Sequence, residues 1–148
     1  MAKVNELLNC ASPWMEMQKL TTKVTGEDVH VFSDDSVELF LDTNYDRKTY
    51  YQIAAGVAGG TYDGKLVDSA WDSGMEVHVG KEKTFWTAEI RIPFSAFGAS
   101  APKDGTLWGV NFCRNRPRDK VQNQSWSLLF NTYHSPNMFG TMVFRTER

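Results

Sequence analysis

No apolar run in the sequence approaches the ~20 residues needed to cross a bilayer, so nothing in it reads as a membrane span. The first residues, MAKVNELLNCASPW, also lack the unbroken apolar stretch of a secretory leader, because Asn5, Glu6 and Asn9 interrupt it. Cysteine is scarce. With Cys10 and Cys113 alone a disulfide framework is excluded; the sequence does not decide whether they pair, and two buried free thiols are the simpler expectation. Neither sign of charge is in excess. A net charge of −2 over 148 residues offers no pull on nucleic acid or an anionic membrane, so neither is expected as a partner.

Helical periodicity is scarce as well. Its best stretch is residues 3–19, where Val4, Leu7, Leu8 and Ala11 fall near one face, but Pro13 cuts it short. Signatures of chemistry are missing: no G-x-S-x-G, no H-E-x-x-H, no carboxylate pair marked out by spacing, and three histidines (His30, His78, His134) too far apart for a metal-ligand pattern. An enzyme is therefore not expected.

What remains is a chain rich in rings and in period-two alternation. Aromatics make up 13% and include five Trp; a core can use several of these, which leaves room for one or two on a binding surface. Strands are expected at residues 29–32, 36–42, 49–57, 75–79, 84–92, 107–115, 125–130 and 141–145. Trp86, Ala88, Ile90 and Ile92 share one face of the clearest of these, with Thr87, Glu89 and Arg91 on the other. Asp63-Gly64 reads as a tight turn, FSAFG as a single helical turn, and RNRPRDKVQNQ as a polar loop. Many short strands without βαβ alternation predict an all-β fold, an antiparallel β-sandwich of immunoglobulin or jelly-roll type. Residues 29–148 form the sandwich, and residues 1–28 a separate N-terminal segment, a short helix or loop or an edge-covering strand.

Several residue groups bear on function. Asp42, Asn44 and Asp46 spell D-x-N-x-D, the opening of an oxygen-ligand loop, but Arg47 and Ile53 stand where an EF-hand needs Gly and Glu. A structural calcium is one expectation there; Asp and Asn bonding their own backbone in a turn is the other. Arg114, Arg116, Arg118 and Lys120 read as a solvated loop, except that Arg114 shares parity with Trp108, Val110 and Phe112 and so needs a ligand or a partner such as Glu38. Phe32 precedes an acidic strand, and Tyr133 sits in the turn-rich FNTYHSPNMFG. They either cap the core or offer faces to a ligand. A sugar suits the second role, since its C–H faces stack on rings while its hydroxyls bond carboxylates, amides and Arg.

The runs SDDSVELFLDTN, YYQIAAGVAGGTYDG, WTAEIRIPFSAFG, WGVNFCRNR, SWS and HSPNMFGTMVF, in that order from Val29 to Phe144, resemble the family 9 carbohydrate-binding modules and their DOMON-like relatives. That resemblance implies a non-catalytic sandwich, an accessory module of a glycoside hydrolase for instance, which grips a polysaccharide or oligosaccharide in the extracellular space or the periplasm. It implies that Phe32 and Tyr133 stack on the sugar, both in place of Trp, and that Glu38 is the gripping carboxylate. Gln52 stands where the pattern has Arg. Cys113 replaces a Gln, leaving Asn111 and Arg114 as substitute hydrogen-bonding groups. The implied ligand set is thus Phe32, Glu38, Gln52, Asn111, Arg114 and Tyr133.

Relatives carry several strands before the D-D-x-V-E motif, and here 33 residues precede it. The expectation is that the N-terminal segment covers the open sheet edge, or that a second copy does, giving a homo-oligomer. Two rival readings stand. A DOMON-like sandwich can hold haem for electron transfer, with His134 and Met138 as candidate ligands, although no attachment motif occurs. Alternatively this is a structural or assembly domain whose pocket has decayed. No cofactor beyond the structural calcium is otherwise expected.

Overall fold

The computed structural model describes residues 2–4, 20–27, 29–83, 85–98, 101–117 and 122–145. Strands β2 (Ser36–Asp42), β3 (Tyr51–Gly56), β4 (Thr61–Lys65), β7 (Leu107–Asn115), β8 (Gln124–Ser125) and β9 (Gly140–Val143) form one antiparallel sheet in the order β4-β3-β2-β7-β8, with β9 also pairing β7. Strands β1 (Ala2–Val4), β6 (Trp86–Ile92) and β5 (Glu76–Lys81) form a second, in the order β1-β6-β5. Among the described residues there is no α-helix, and none long and apolar enough to cross a membrane.

Alternation explains the layering. In the larger sheet Leu39, Leu41, Tyr51, Ile53, Trp108 and Val110 project from one face and pack with Ile92 of the smaller sheet in the principal core. Val37, Ala55, Val57 and Trp86 continue that core toward the other end. Full burial of each such aliphatic side chain is worth about 1.5–3 kcal/mol. The opposite face of β2 carries Ser36, Glu38, Phe40 and Asp42. Such a row would normally be wet, yet every residue of β2 is buried. The cause lies downstream: the segment between β8 and β9 folds back over this face, and its Leu129, Tyr133 and Phe139 pack on Phe40, Tyr50 and Cys113. This second, smaller core covers part of the polar face and leaves the part around Glu38 open.

The two acids before β2 are structural clamps. Asp34 Oδ2 accepts the Lys23 and Val24 backbone N–H groups at 2.6 and 2.7 Å. Asp35 Oδ2 accepts Thr21 N–H at 3.0 Å. They hold residues 21–24 against the sheet, and Gly60 lies so close that an added Cβ would come 2.7 Å from the Val24 carbonyl oxygen.

Several local expectations are corrected. Residues 31–33 form a 3-10 turn rather than a strand end, and residues 61–65 pair along β3 instead of turning at Asp63-Gly64. Of the strand expected at 125–130, only Ser125 falls in a strand, the short β8, because β9 takes the β7 edge from Leu107 to Val110 and the intervening chain peels away. At the N-terminus, Ala2–Val4 lies antiparallel to Ile90–Ile92 along the edge of β6, as a strand and not a helix. The rest of the proposed helix, with Cys10, Pro13 and most of the N-terminal segment, lies outside the described residues, as do Arg118 and Lys120. Cys113 is a buried free thiol, and its burial pushes its pKa up.

Candidate functional site

The folded-back segment does not cover the whole polar face. Beside it a cleft of about 440 Å³ stays open, with Glu38, Gln52 and Asn115 as its floor. Phe32 and Tyr133 border it, and so do Phe130 and His134. Strand register builds the floor. Glu38 lies two positions from Phe40, which pairs with Gln52, and two from Ser36, which pairs with Asn115. With period-two alternation all three side chains emerge on one face.

Their chemistry is interlocked. Gln52 Nε2 donates to Glu38 Oε2 and Asn115 Nδ2 to Oε1, each at 2.6 Å. Asn115 also reaches Ser36 Oγ at 3.2 Å. Burial raises the Glu38 pKa, opposed by the two amide donors, Asn115 first and then Gln52. Because a carboxylate only accepts, both amides must turn their NH₂ groups to it, leaving their carbonyl oxygens as acceptors. Among the described residues neither carbonyl has a partner. The floor therefore asks a ligand for hydrogen-bond donors.

The walls are aromatic. Phe32, half-buried in the 3-10 turn, is held edge-on by His30 and Tyr62, with centroids at 5.1 and 5.3 Å. Tyr133 is half-buried against Phe40, and its hydroxyl donates toward the carbonyls of Arg114 and Gln124 at 3.0 and 3.1 Å. Phe130 is 78% exposed at the lip, one of the most exposed large apolar side chains described.

The structure thus brings together Phe32, Glu38, Gln52 and Tyr133, which lie far apart in sequence. It does not bring Arg114 to them. Glu38 pairs with Cys113 and Arg114 with Val37, so Arg114 projects from the opposite face, toward Phe112 and Trp126. Nor is it the partner of Glu38. Asn111 is on the Glu38 face but fully buried beneath the folded-back segment, where Oδ1 accepts Ser127 N–H at 2.9 Å; it does not line the cleft. Sequence reasoning passed over Asn115, Phe130 and His134. Asn115 was findable, since it shares parity with Asn111 and Cys113. Phe130 and His134 lie on irregular chain, where no periodicity marks them.

At the D-x-N-x-D run the oxygens serve the loop itself. Asp42 accepts Asp46 and Arg47 N–H at 3.2 and 2.8 Å, and Asp46 accepts Lys48 N–H, Thr49 N–H and the Thr49 hydroxyl. Asn44 donates to Thr49 Oγ1 at 3.3 Å. Among the described residues no three His, Cys, Asp or Glu are grouped to hold a metal ion. His134, the haem candidate, has Nδ1 occupied by the Tyr50 hydroxyl at 2.8 Å.

Comparison with known proteins adds independent findings. A family model described as "Carbohydrate family 9 binding domain-like" matches residues 16–147. A family 9 carbohydrate-binding module from Caldicellulosiruptor kristjanssonii, solved in complex with glucose, is similar at 18% identity with a TM-score of 0.66, over 86% of this chain and 66% of that one. A family 9 module from the same organism, solved in complex with cellotriose, matches at 19% identity and a TM-score of 0.65 over the same shares of the two chains. A putative carbohydrate-binding protein from Bacteroides uniformis matches at 20% and 0.63, over 85% of this chain and 68% of its own. The chain thus spans about two thirds of the length of each. At these identities the likeness establishes the antiparallel β-sandwich. No curated protein matches the chain.

Proposed function

Because the chain belongs to the carbohydrate family 9 binding domain-like family, we propose that it is a non-catalytic module that binds a neutral sugar in the cleft over Glu38. The observation carrying this reading is the juxtaposition of Phe32, Tyr133 and exposed Phe130 with a floor of paired acceptors in one open cleft. Rings offer faces to sugar C–H groups, and the floor accepts hydroxyl hydrogens. A cleft of about 440 Å³ suits a ligand of one or two sugar rings rather than a long enclosed chain. Solved structures of similar fold hold glucose and cellotriose, which makes these the first ligands to try.

In this reading Phe32, Tyr133 and Phe130 stack, while Glu38, Gln52 and Asn115 hydrogen-bond. Action outside the cytoplasm on polysaccharide or oligosaccharide, as an accessory to a hydrolase, is part of the same proposal. Isothermal titration with glucose, cellotriose and xylan tests it, with Phe32→Ala as the control, since Phe32 carries no hydrogen bond of the fold. Heat with at least one sugar, lost in Phe32→Ala, is expected. No heat with any of them, at millimolar concentrations, overturns it.

A further inference from the structure

Beside the acceptor floor stands one ring whose hydrogen bonding is set from behind. Tyr50 is 5% exposed, and its hydroxyl lies 2.8 Å from His134 Nδ1. The Phe40 ring meets the imidazole edge-on at 5.4 Å, and the Tyr50 ring lies at 5.7 Å. These contacts fix the ring at the cleft wall.

The direction of the bond follows from counting protons. Were Nδ1 protonated, it would donate to the Tyr50 oxygen, and the Tyr50 O–H would need a second acceptor. Among the described residues His134 is the one partner of that hydroxyl. A buried O–H left unmet costs about 1–3 kcal/mol. Tyr50 therefore donates, Nδ1 accepts, and the imidazole proton resides on Nε2. Burial favours the same state from both sides, raising the Tyr50 phenol and lowering the His134 imidazolium, so the pair stays neutral.

We propose that His134, held in one tautomer by Tyr50, is a fixed hydrogen-bond donor of the cleft wall and a specificity-determining residue for its ligand. The inference rests on the sugar reading above. The floor of Glu38, Gln52 and Asn115 mainly accepts: Asn115 spends both amide hydrogens on Glu38 and Ser36, and Gln52 spends one on Glu38, so the second Gln52 N–H is the one donor these three side chains have to spare. His134 Nε2–H reads a ligand oxygen from the wall. A ligand must then present adjacent hydroxyls to the floor and an oxygen, hydroxyl or ring ether, to the wall. Tyr50 touches no ligand and acts as a positioning residue through Nδ1.

Two measurements test this. Nitrogen-15 NMR of the histidine rings, on the ligand-free chain at pH 7.5, reports the tautomer directly. His134 is expected with Nδ1 bare and Nε2 protonated, and Tyr50→Phe should shift it toward a mixture of tautomers. Calorimetry with cellotriose is the second. His134→Phe, which keeps a ring and removes the donor, should weaken binding about tenfold, and His134→Gln, which keeps a donor, should recover part of it. Tyr50→Phe should weaken binding several-fold with a native circular dichroism spectrum. An Nδ1-protonated ring, or His134→Phe binding within twofold of wild type, overturns the inference and leaves the sugar reading standing. No heat from the wild type with any sugar overturns the sugar reading and the donor role with it, while the tautomer measurement still decides the Tyr50–His134 arrangement.

Discussion

Glu38→Gln separates what the floor does for folding from what it does for a ligand. In the wild type a buried carboxylate, 4% exposed, accepts from two amides at 2.6 Å. Hydrogen bonds to a charged group contribute about 1.5–3 kcal/mol each and neutral ones about 0.5–1.5. Replacing the charge with a neutral amide of the same shape, and turning one neighbouring amide to match, therefore loses about 2–3 kcal/mol across both bonds. Against this stands the effective penalty of burying an ion, several kcal/mol after relaxation. The second effect wins, in line with the raised pKa of Glu38. The variant should be as stable as the wild type or more so by about 1–2 kcal/mol, a rise in Tm of about 2–6 °C. Binding should move the other way. A sugar hydroxyl that met a carboxylate now meets a carbonyl, a loss of about 1–2 kcal/mol per bond, or roughly tenfold in Kd. Thermal unfolding followed by circular dichroism, with calorimetry on the same preparation, reads both. A fall in Tm of more than about 5 °C in a native-like variant, or cellotriose binding within twofold of wild type, would refute the reasoning.

The pH dependence has a defined sign. Burial lifts the Glu38 carboxyl above its ordinary 4.5 in the folded state, so its stability contribution is full below 4.5 and is lost as pH rises through the raised value. Denaturation of wild type and Glu38→Gln in parallel should show the advantage of the variant at pH 7 shrinking on acidification, while sugar binding by the wild type falls over the same window. Arg114→Ala should bind sugar within twofold of wild type, because it projects from the opposite face, whereas Phe130→Ala at the lip should weaken binding about tenfold with little change in Tm; calorimetry on the two distinguishes faces. Gly60→Ala should lower stability by about 1–3 kcal/mol by forcing a Cβ against the Val24 backbone, read by urea denaturation. Asp34→Ala should cost a comparable amount, since it leaves the Lys23 and Val24 N–H groups unmet.

Much of the fold is legible because alternation is a strong signal where one face is apolar. Residues 36–42, 84–92 and 107–115 read as strands for that reason, and Ser36–Asp42, Trp86–Ile92 and Leu107–Asn115 fold as strands. The errors sit where the pattern is shared by other structures. A short apolar run such as 29–32 does not distinguish a strand from a turn. Ser125–Phe130 alternates, with Trp126, Leu128 and Phe130 outward, but the alternation comes from packing Leu129 on the small core rather than from pairing. In the site, family resemblance plus side-chain chemistry points to Phe32, Glu38, Gln52 and Tyr133, which the fold brings to one cleft. Arg114 was misplaced although its parity with Trp108 and Val110 already assigned it to the core face; only the β2–β7 register settles which residue of β7 stands opposite Glu38. Asn115, paired with Ser36, is the β7 amide that reaches Glu38.

Sugar binding in this cleft requires ligand contact with the floor. The most direct measurement is a two-dimensional nitrogen–proton NMR titration with cellotriose that follows the side-chain NH₂ groups of Gln52 and Asn115. Both are locked onto Glu38, so a sugar donating to that carboxylate and to the amide carbonyls must move them. Shifts concentrated on these groups, on the His134 ring and on the backbone of residues 130–134 are predicted. Saturating shifts clustered instead around Arg114 and Trp126, or no shift at millimolar sugar, would contradict it.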